Sequence, residues 1–229
     1  MVALFVALMF LCFVLVDLVV QRLEARRAAV SGPALLPWTV PGGFHLSEGH
    51  TWSHPDSSVG VRVGMDGLLA HALGAVEKVV APKLGELVRA GQPLFRLEYQ
   101  GCGLEVPSSI TGHVVALNPS LAKRPELAAK DPYGSGWICA VTPTQPDGSS
   151  EGMRAGEKAA AWLEQEFHRF REFLSMQVSP DLAVRVTYPD GGLPAVGSLA
   201  QLSQGGWKAF EAEFLRPQRA PVTPRGRGF

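Results

Sequence analysis

The sequence predicts an α+β protein, mainly β: a compact sandwich or barrel of short strands with helices added after it, preceded by one transmembrane helix. Three observations carry this expectation. The run from Val2 to Val20 is almost wholly apolar and long enough to cross a hydrocarbon core of roughly 30 Å as a helix. Short alternating runs follow, as in Val59 Gly60 Val61 Arg62 Val63 and Val76 Glu77 Lys78 Val79 Val80, separated by Gly and Pro turns. Towards the C-terminus apolar residues recur instead at helical spacing. Hydrophobic residues make up 46% of the 229 residues and charged residues 18%, enough to bury a core. The formal net charge is zero, so nothing marks nucleic acid as a partner.

Taken in order, residues 1–21 are read as the membrane span. No Lys or Arg precedes it, whereas Arg22, Arg26 and Arg27 follow it. A signal peptide opens with a basic segment, and this one does not. The basic flank on the C-terminal side places the soluble domain in the cytoplasm of a single-pass protein of the inner, cytoplasmic membrane. Asp17 lies inside the span, about one turn from the basic flank. It reads either as an end residue reaching the interface or as a polar contact to another membrane subunit. Residues 22–43 are the basic flank and a linker broken by Gly32, Pro33, Pro37, Pro41, Gly42 and Gly43. Ordered structure is expected from Phe44, and the β-rich domain from there to Pro143. Within it, Ala81–Gly85 and Pro107–Gly112 look like matching turns of two half-units, and a tight turn is expected at Gln100 Gly101 Cys102 Gly103.

Residues 144–215 read as a helix–strand–helix extension. An amphipathic helix is predicted over Ala159 to Met176, with Trp162, Leu163, Phe167, Phe170 and Leu174 packing on the domain and Glu164, Arg169, Arg171 and Glu172 on its solvated side. A strand follows at Leu182 to Tyr188, and a last helix holds Trp207, Phe210 and Phe214. Residues 216–229, rich in Pro, Gly and Arg, read as a disordered tail.

Candidate chemistry is sparse. Cys12, Cys102 and Cys139 form no CxxC pair, which excludes zinc ribbons and thioredoxin-type motifs and fits a reducing compartment. Cys102 has no basic neighbour in sequence to lower its pKa and reads as an inert small residue. His45, His50 and His54 cluster with Glu48, but their spacing matches no closed metal site, so no metal is expected. His71, His113 and His168 carry no assigned role. No P-loop, dinucleotide fingerprint or GxSxG elbow occurs, and no nucleophile–base pair can be named, so the protein is not expected to be an enzyme.

The middle of the chain resembles the H proteins of glycine cleavage. Gly49 His50 Thr51 Trp52 is similar to their opening, as are Val61–Asp66 with Leu73 Gly74, and Gly85, Val88, Ala90 Gly91 and Pro93. Asn118 to Trp137, with Leu121, Pro125 Glu126 Leu127, Asp131 Pro132 Tyr133 Gly134 and Gly136, resembles their C-terminal signature. The resemblance covers about Phe44 to Pro143 and implies a lipoyl/biotinyl-like barrel-sandwich domain. It also implies a lipoyl lysine at a hairpin tip carrying Glu-Ser-Val-Lys. Aligned back from Gly112, Glu98 falls on the glutamate, Tyr99 and Gln100 follow, and Gly101 falls on the lysine.

Glycine has no amine, so no cofactor is expected, and neither Lys78 nor Lys83 is an obvious substitute. The expected function is a membrane-anchored, non-lipoylated accessory or scaffold subunit. Its partners would be other subunits of a membrane complex, contacted through Asp17 and through Tyr99, Gln100, Gly101 and Cys102, with no small-molecule substrate. The alternative is an H-type lipoyl or acyl carrier with an unconventional attachment site.

Overall fold

Alternating apolar side chains between Gly and Pro turns fold the chain into short antiparallel strands. The structure, a computed structural model, describes residues 38–145, 152–177 and 193–216, all within the unit that starts at Pro37. The strands are β1 (His45–Leu46), β2 (Thr51–Asp56), β3 (Gly60–Met65), β4 (Lys78–Val80), β5 (Leu87–Val88), β6 (Pro93–Tyr99), β7 (Cys102–Pro107), β8 (Gly112–Leu117), β9 (Cys139–Pro143) and β10 (Arg154–Ala155). They form a seven-stranded sheet in the order β10-β1-β2-β3-β9-β8-β5 and a three-stranded sheet in the order β4-β6-β7. The helices are α1 (Gly67–Leu73), α2 (Leu127–Lys130), α3 (Gly156–Gln177) and α4 (Gln204–Phe210), the last running into a π-helical turn at Glu211–Leu215.

The family-like residues hold the sheets and loops together. Trp52 on β2 faces Gly64 on β3 in register, and a Cβ at Gly64 would stand 2.6 Å from the indole. Glycine there lets the ring lie against the neighbouring strand. The indole Nε1 donates to the Pro132 carbonyl at 3.0 Å, and the Tyr133 hydroxyl accepts from the Gly67 backbone N–H at 3.0 Å. Asn118 Nδ2 donates to the carbonyls of Ser135 and Trp137, and Asp131 accepts from the Ser135 N–H. The Asp-Pro-Tyr-Gly segment is thus a clamp across β2, α1 and the loop before β9. Burial, helped by the nearby Asp66 charge, pushes the Tyr133 pKa up, so it remains a neutral phenol.

Gly112 pairs with Pro143 at the β8–β9 contact, and a Cβ there would run into the Thr142 carbonyl oxygen and to 2.8 Å from Val141 Cγ1. Overpacking of this kind costs about 1–3 kcal/mol. Gly112→Ala is therefore expected to lower the urea midpoint by that equivalent; an unchanged midpoint would show that the sheet yields at this point.

The long helix forms as predicted, but its apolar face is wider than the predicted stripe. Ala159, Leu163, Phe167, Phe170, Phe173 and Leu174 are all buried, while Trp162 is only half-buried. Phe173 is covered because α4 and the π-turn pack on the helix from a second side. Its ring lies 6.0 Å from Phe210 and 5.5 Å from Phe214.

Arg154–Ala155, within the 144–215 extension, adds β10 to the main sheet beside β1. His71, left without a role, donates to the Pro194 carbonyl at 2.7 Å and so helps tie α1 to the segment before α4. Cys139 is a core residue as expected, its pKa pushed up to about 12 by burial. Among the described residues no helix is long and apolar enough to cross a membrane. The predicted span with Asp17 and Cys12, the linker up to residue 37, the strand at Leu182–Tyr188 and the tail beyond Arg216 lie outside the described residues.

Candidate functional site

The hairpin β6–β7 presents the segment singled out in the sequence. Tyr99 pairs with Cys102, leaving Gln100 and Gly101 as a two-residue loop. Both have positive φ, 50° and 74°, the combination that a type I′ turn demands. Gly101 meets that demand without strain, whereas Gln100 carries a side chain there. The Gln100 N–H donates to Glu77 Oε2 at 3.2 Å, and its side-chain amide donates to the Tyr99 hydroxyl. The tip is therefore braced from the residue just before β4 and by its own neighbour.

Gln100 and Gly101 are exposed, and Tyr99 and Cys102 are half-buried. Cys102 opens β7 rather than sitting in the turn, so the expected four-residue turn is two residues long. Behind the tip, Glu98 is held between Lys78 (3.3 Å) and Arg96 (3.5 Å), and Gly103 leaves the space over which the Arg96 guanidinium lies.

An arm joined through an amide requires an amine. At position 101 the structure has a glycine whose Cβ direction opens onto empty space, and the flanking residues at 99, 100 and 102 offer a phenol, a carboxamide and a thiol. The residues at the tip do not fit a lipoyl group. The lysine that the register brings nearest is Lys78, opposite Glu98, with 64% of its side chain exposed.

A second cluster was not foreseen. His50 is fully buried, with φ 58°. Its Nδ1 donates to Asp66 Oδ2 at 2.7 Å, and Glu166 Oε2 stands 3.6 Å from Nε2. Its ring stacks on Trp162 at 5.2 Å, and the Arg154 guanidinium lies 4.9 Å from the centre of that indole. Burial alone would lower the His50 pKa, but the two carboxylates outweigh it and raise it to about 9, so the ring is an imidazolium at neutral pH.

Glu166 shows the converse balance. Burial favours its neutral form, yet His50 and Arg169 hold its pKa below the ordinary carboxylate value. Asp66 has a further duty: its Oδ1 accepts from the Leu69 N–H and caps α1. The sequence does show the Asp-Gly-Leu-Leu start of a helix, but it offers no sign that Glu166 returns to His50.

The other histidines of the sequence cluster separate. His54 lies against Phe44 with ring centres 4.6 Å apart, His45 pairs with Ser53, and Glu48 binds Arg154 at 3.1 Å. Among the described residues no three His, Cys, Asp or Glu side chains gather to hold a metal ion.

Comparison with known proteins bears on the same residues. The model of the family described as Glycine cleavage H-protein matches residues 45–166. The glycine cleavage system H protein of Magnetococcus marinus is 30% identical over 126 residues, 55% of this chain and 89% of that protein. The one from Xanthomonas campestris pv. campestris is 31% identical over 129 residues, 56% of this chain and 98% of its own. Among solved structures, a glycine cleavage system H protein from Mycobacterium marinum is 27% identical, covering 55% of this chain and 99% of that one with a TM-score of 0.47.

Proposed function

The chain belongs to the glycine cleavage H-protein family, and from that premise we propose that it is an unlipoylated docking subunit: it keeps the hairpin that such a domain presents to partners and omits the arm. The observation that carries this reading is Gly101, an exposed residue at φ 74° in the two-residue loop where the family resemblance puts the lipoyl lysine. The hairpin is otherwise intact, with six paired positions between β6 and β7 and a tip braced by Glu77. A surface kept in shape without its reactive group is suited to contact rather than to transfer.

The apolar run Val2–Val20 and the Arg22, Arg26 and Arg27 flank support a location at the cytoplasmic membrane with the domain on the cytoplasmic side. The partners in this reading are other subunits of a membrane complex, met through Asp17 in the span and the Tyr99–Cys102 tip. Protease added to sealed cells should leave the domain intact, and digestion from outside would reverse the orientation.

A second reading rests on Lys78. Its exposed amine stands on the strand beside the tip, paired with the glutamate that precedes it. An H-type carrier loaded there would still swing its arm from the same end of the sheet.

Intact-protein mass of the full chain, extracted from its native membrane in mild detergent, separates the two. We expect the mass of the unmodified chain and migration on a native gel above monomer size. A lipoyl adduct that disappears in Lys78→Arg would establish the carrier. An unmodified chain that migrates alone would overturn the docking reading.

A further inference from the structure

Among the described residues, most of the large apolar side chains left exposed gather around one turn. Leu84 is 63% exposed in the turn between β4 and β5, Leu87 40% on β5 and Val115 46% on β8. β5 is the terminal strand of the seven-stranded sheet and pairs only with β8. Leu87 lies opposite His113, so Val115, two residues along on the same face, is its diagonal neighbour. The Gly85 N–H donates to the Val114 carbonyl at 2.7 Å and holds the turn against β8, with Leu84 next to it. Val80, also exposed, leads into the turn from the other sheet.

The turn itself does not force such a side chain out. Ile110, the apolar residue of the matching turn Pro107–Gly112, is 1% exposed. Apolar side chains grouped at a free sheet edge are a liability unless something covers them, and such groups mark contact surfaces.

The surroundings of the patch are cationic. Lys83 and Arg89 are exposed, and among the described residues neither has an ion-pair partner. Glu86, the carboxylate between them, is turned back into the turn, where its Oε2 accepts from the Lys83 N–H at 2.8 Å. Beside Val80, Lys78 and Arg96 share the single carboxylate of Glu98.

We propose that this face docks on the cytoplasmic leaflet of an anionic membrane, with Leu84 and Leu87 entering the boundary between headgroups and acyl chains and Lys83 and Arg89 meeting lipid phosphates. The inference rests on the membrane location proposed above and adds a face of the folded domain to it. The apolar side chains alone suit any apolar partner; the unpaired cations on either side of them select an anionic surface. Chain length favours a bilayer over other anionic surfaces. Residues 21–37 join the apolar run to the described residues and extend by at most about 60 Å, so a contact that is weak by itself is made at high effective concentration.

The test places the full chain in lipid discs of phosphatidylglycerol and phosphatidylcholine, in discs of phosphatidylcholine alone, and in detergent. Amide hydrogen exchange is then compared over Pro82–Arg89. Exchange there should slow by at least about tenfold in the anionic discs alone, and the slowing should weaken as salt is added. Lys83→Gln combined with Arg89→Gln should lower the contact equilibrium by about thirtyfold. Leu84→Ser, at an exposed position, leaves the core untouched and should abolish the slowing. Slowing that survives Leu84→Ser overturns the proposal. Slowing in detergent that grows with protein concentration assigns the patch to a second copy, and slowing in neutral discs that requires added cell extract assigns it to a partner protein; either overturns the proposal. Equal exchange in both kinds of disc, with the chain retained in them, overturns this face and leaves the membrane location standing. A chain that does not stay with the discs overturns both.

Discussion

Asp66→Ala is expected to destabilise the domain more than any other single polar change, by about 3–5 kcal/mol from the stranded His50 and about 1 kcal/mol more from the lost α1 cap. Asp66 and His50 are both fully buried, and one carboxylate serves both duties through its two oxygens, at 2.7 and 3.0 Å. Asp66→Asn keeps an acceptor for the Leu69 N–H but removes the charge, and should lose less. The pH dependence follows from the same pair. The folded pKa of His50, about 9, lies above its ordinary 6.5, so its contribution is complete below pH 6.5 and disappears as pH rises through 9. Glu166 is depressed, so its contribution is complete above its ordinary 4.5 and is lost as pH falls through its folded value. The cluster therefore stabilises most between about pH 4.5 and 6.5 and weakens towards alkaline pH. Urea unfolding followed from about pH 5 to about pH 9.5 should show a falling alkaline limb in the parent and a flatter one in His50→Gln. An Asp66→Ala protein within 1 kcal/mol of the parent at pH 6 would mean that the imidazolium finds another partner.

What the sequence discloses here follows from how far apart the interacting residues lie. The hairpin was readable because its signals are adjacent: alternating side chains in β6 and β7 with a glycine between them. Trp52, Asp131, Pro132 and Tyr133 were readable as a group only through the family resemblance. Their contacts join β2 and α1 to a loop 80 and 66 positions on, and no local period records that. β10 was missed because two residues cannot display alternation; β1 recruits them through backbone pairing. Phe173 fell outside the predicted stripe because periodicity assumes one buried face, whereas α3 is covered by the sheet on one side and by Phe210 and Phe214 on another. Glu166 and Arg169 are ordinary surface residues in an amphipathic reading. They become part of a site only in the folded chain, where Glu166 returns to His50 and the Glu213 carbonyl accepts from Arg169 at 2.6 Å.

Gly101→Lys is expected to change the covalent state of the protein from unmodified to lipoylated. Position 101 points into open space, so a lysine there meets no steric obstacle and its amine stands clear at the tip. The backbone cost is the left-handed conformation, φ 74°, which is about 1–2 kcal/mol for a residue with a Cβ. The neighbouring Gln100 already holds φ 50° with a side chain in place, and the β6–β7 ladder fixes the register on both sides. The hairpin should therefore persist with a slightly lower unfolding temperature. Incubated with a lipoyl ligase, lipoate and ATP, the variant should gain the lipoyl mass, and the parent should not. Gain of mass in the parent that is lost in Lys78→Arg would move the attachment site to β4 and favour the carrier reading. Failure of Gly101→Lys to be modified, with the fold intact, would place the departure from a carrier in the surroundings, in Tyr99 and Gln100, as well as in the missing amine. Modification of the variant alone would show that a single side chain separates this chain from a loaded carrier, and that its hairpin still has the shape a ligase recognises.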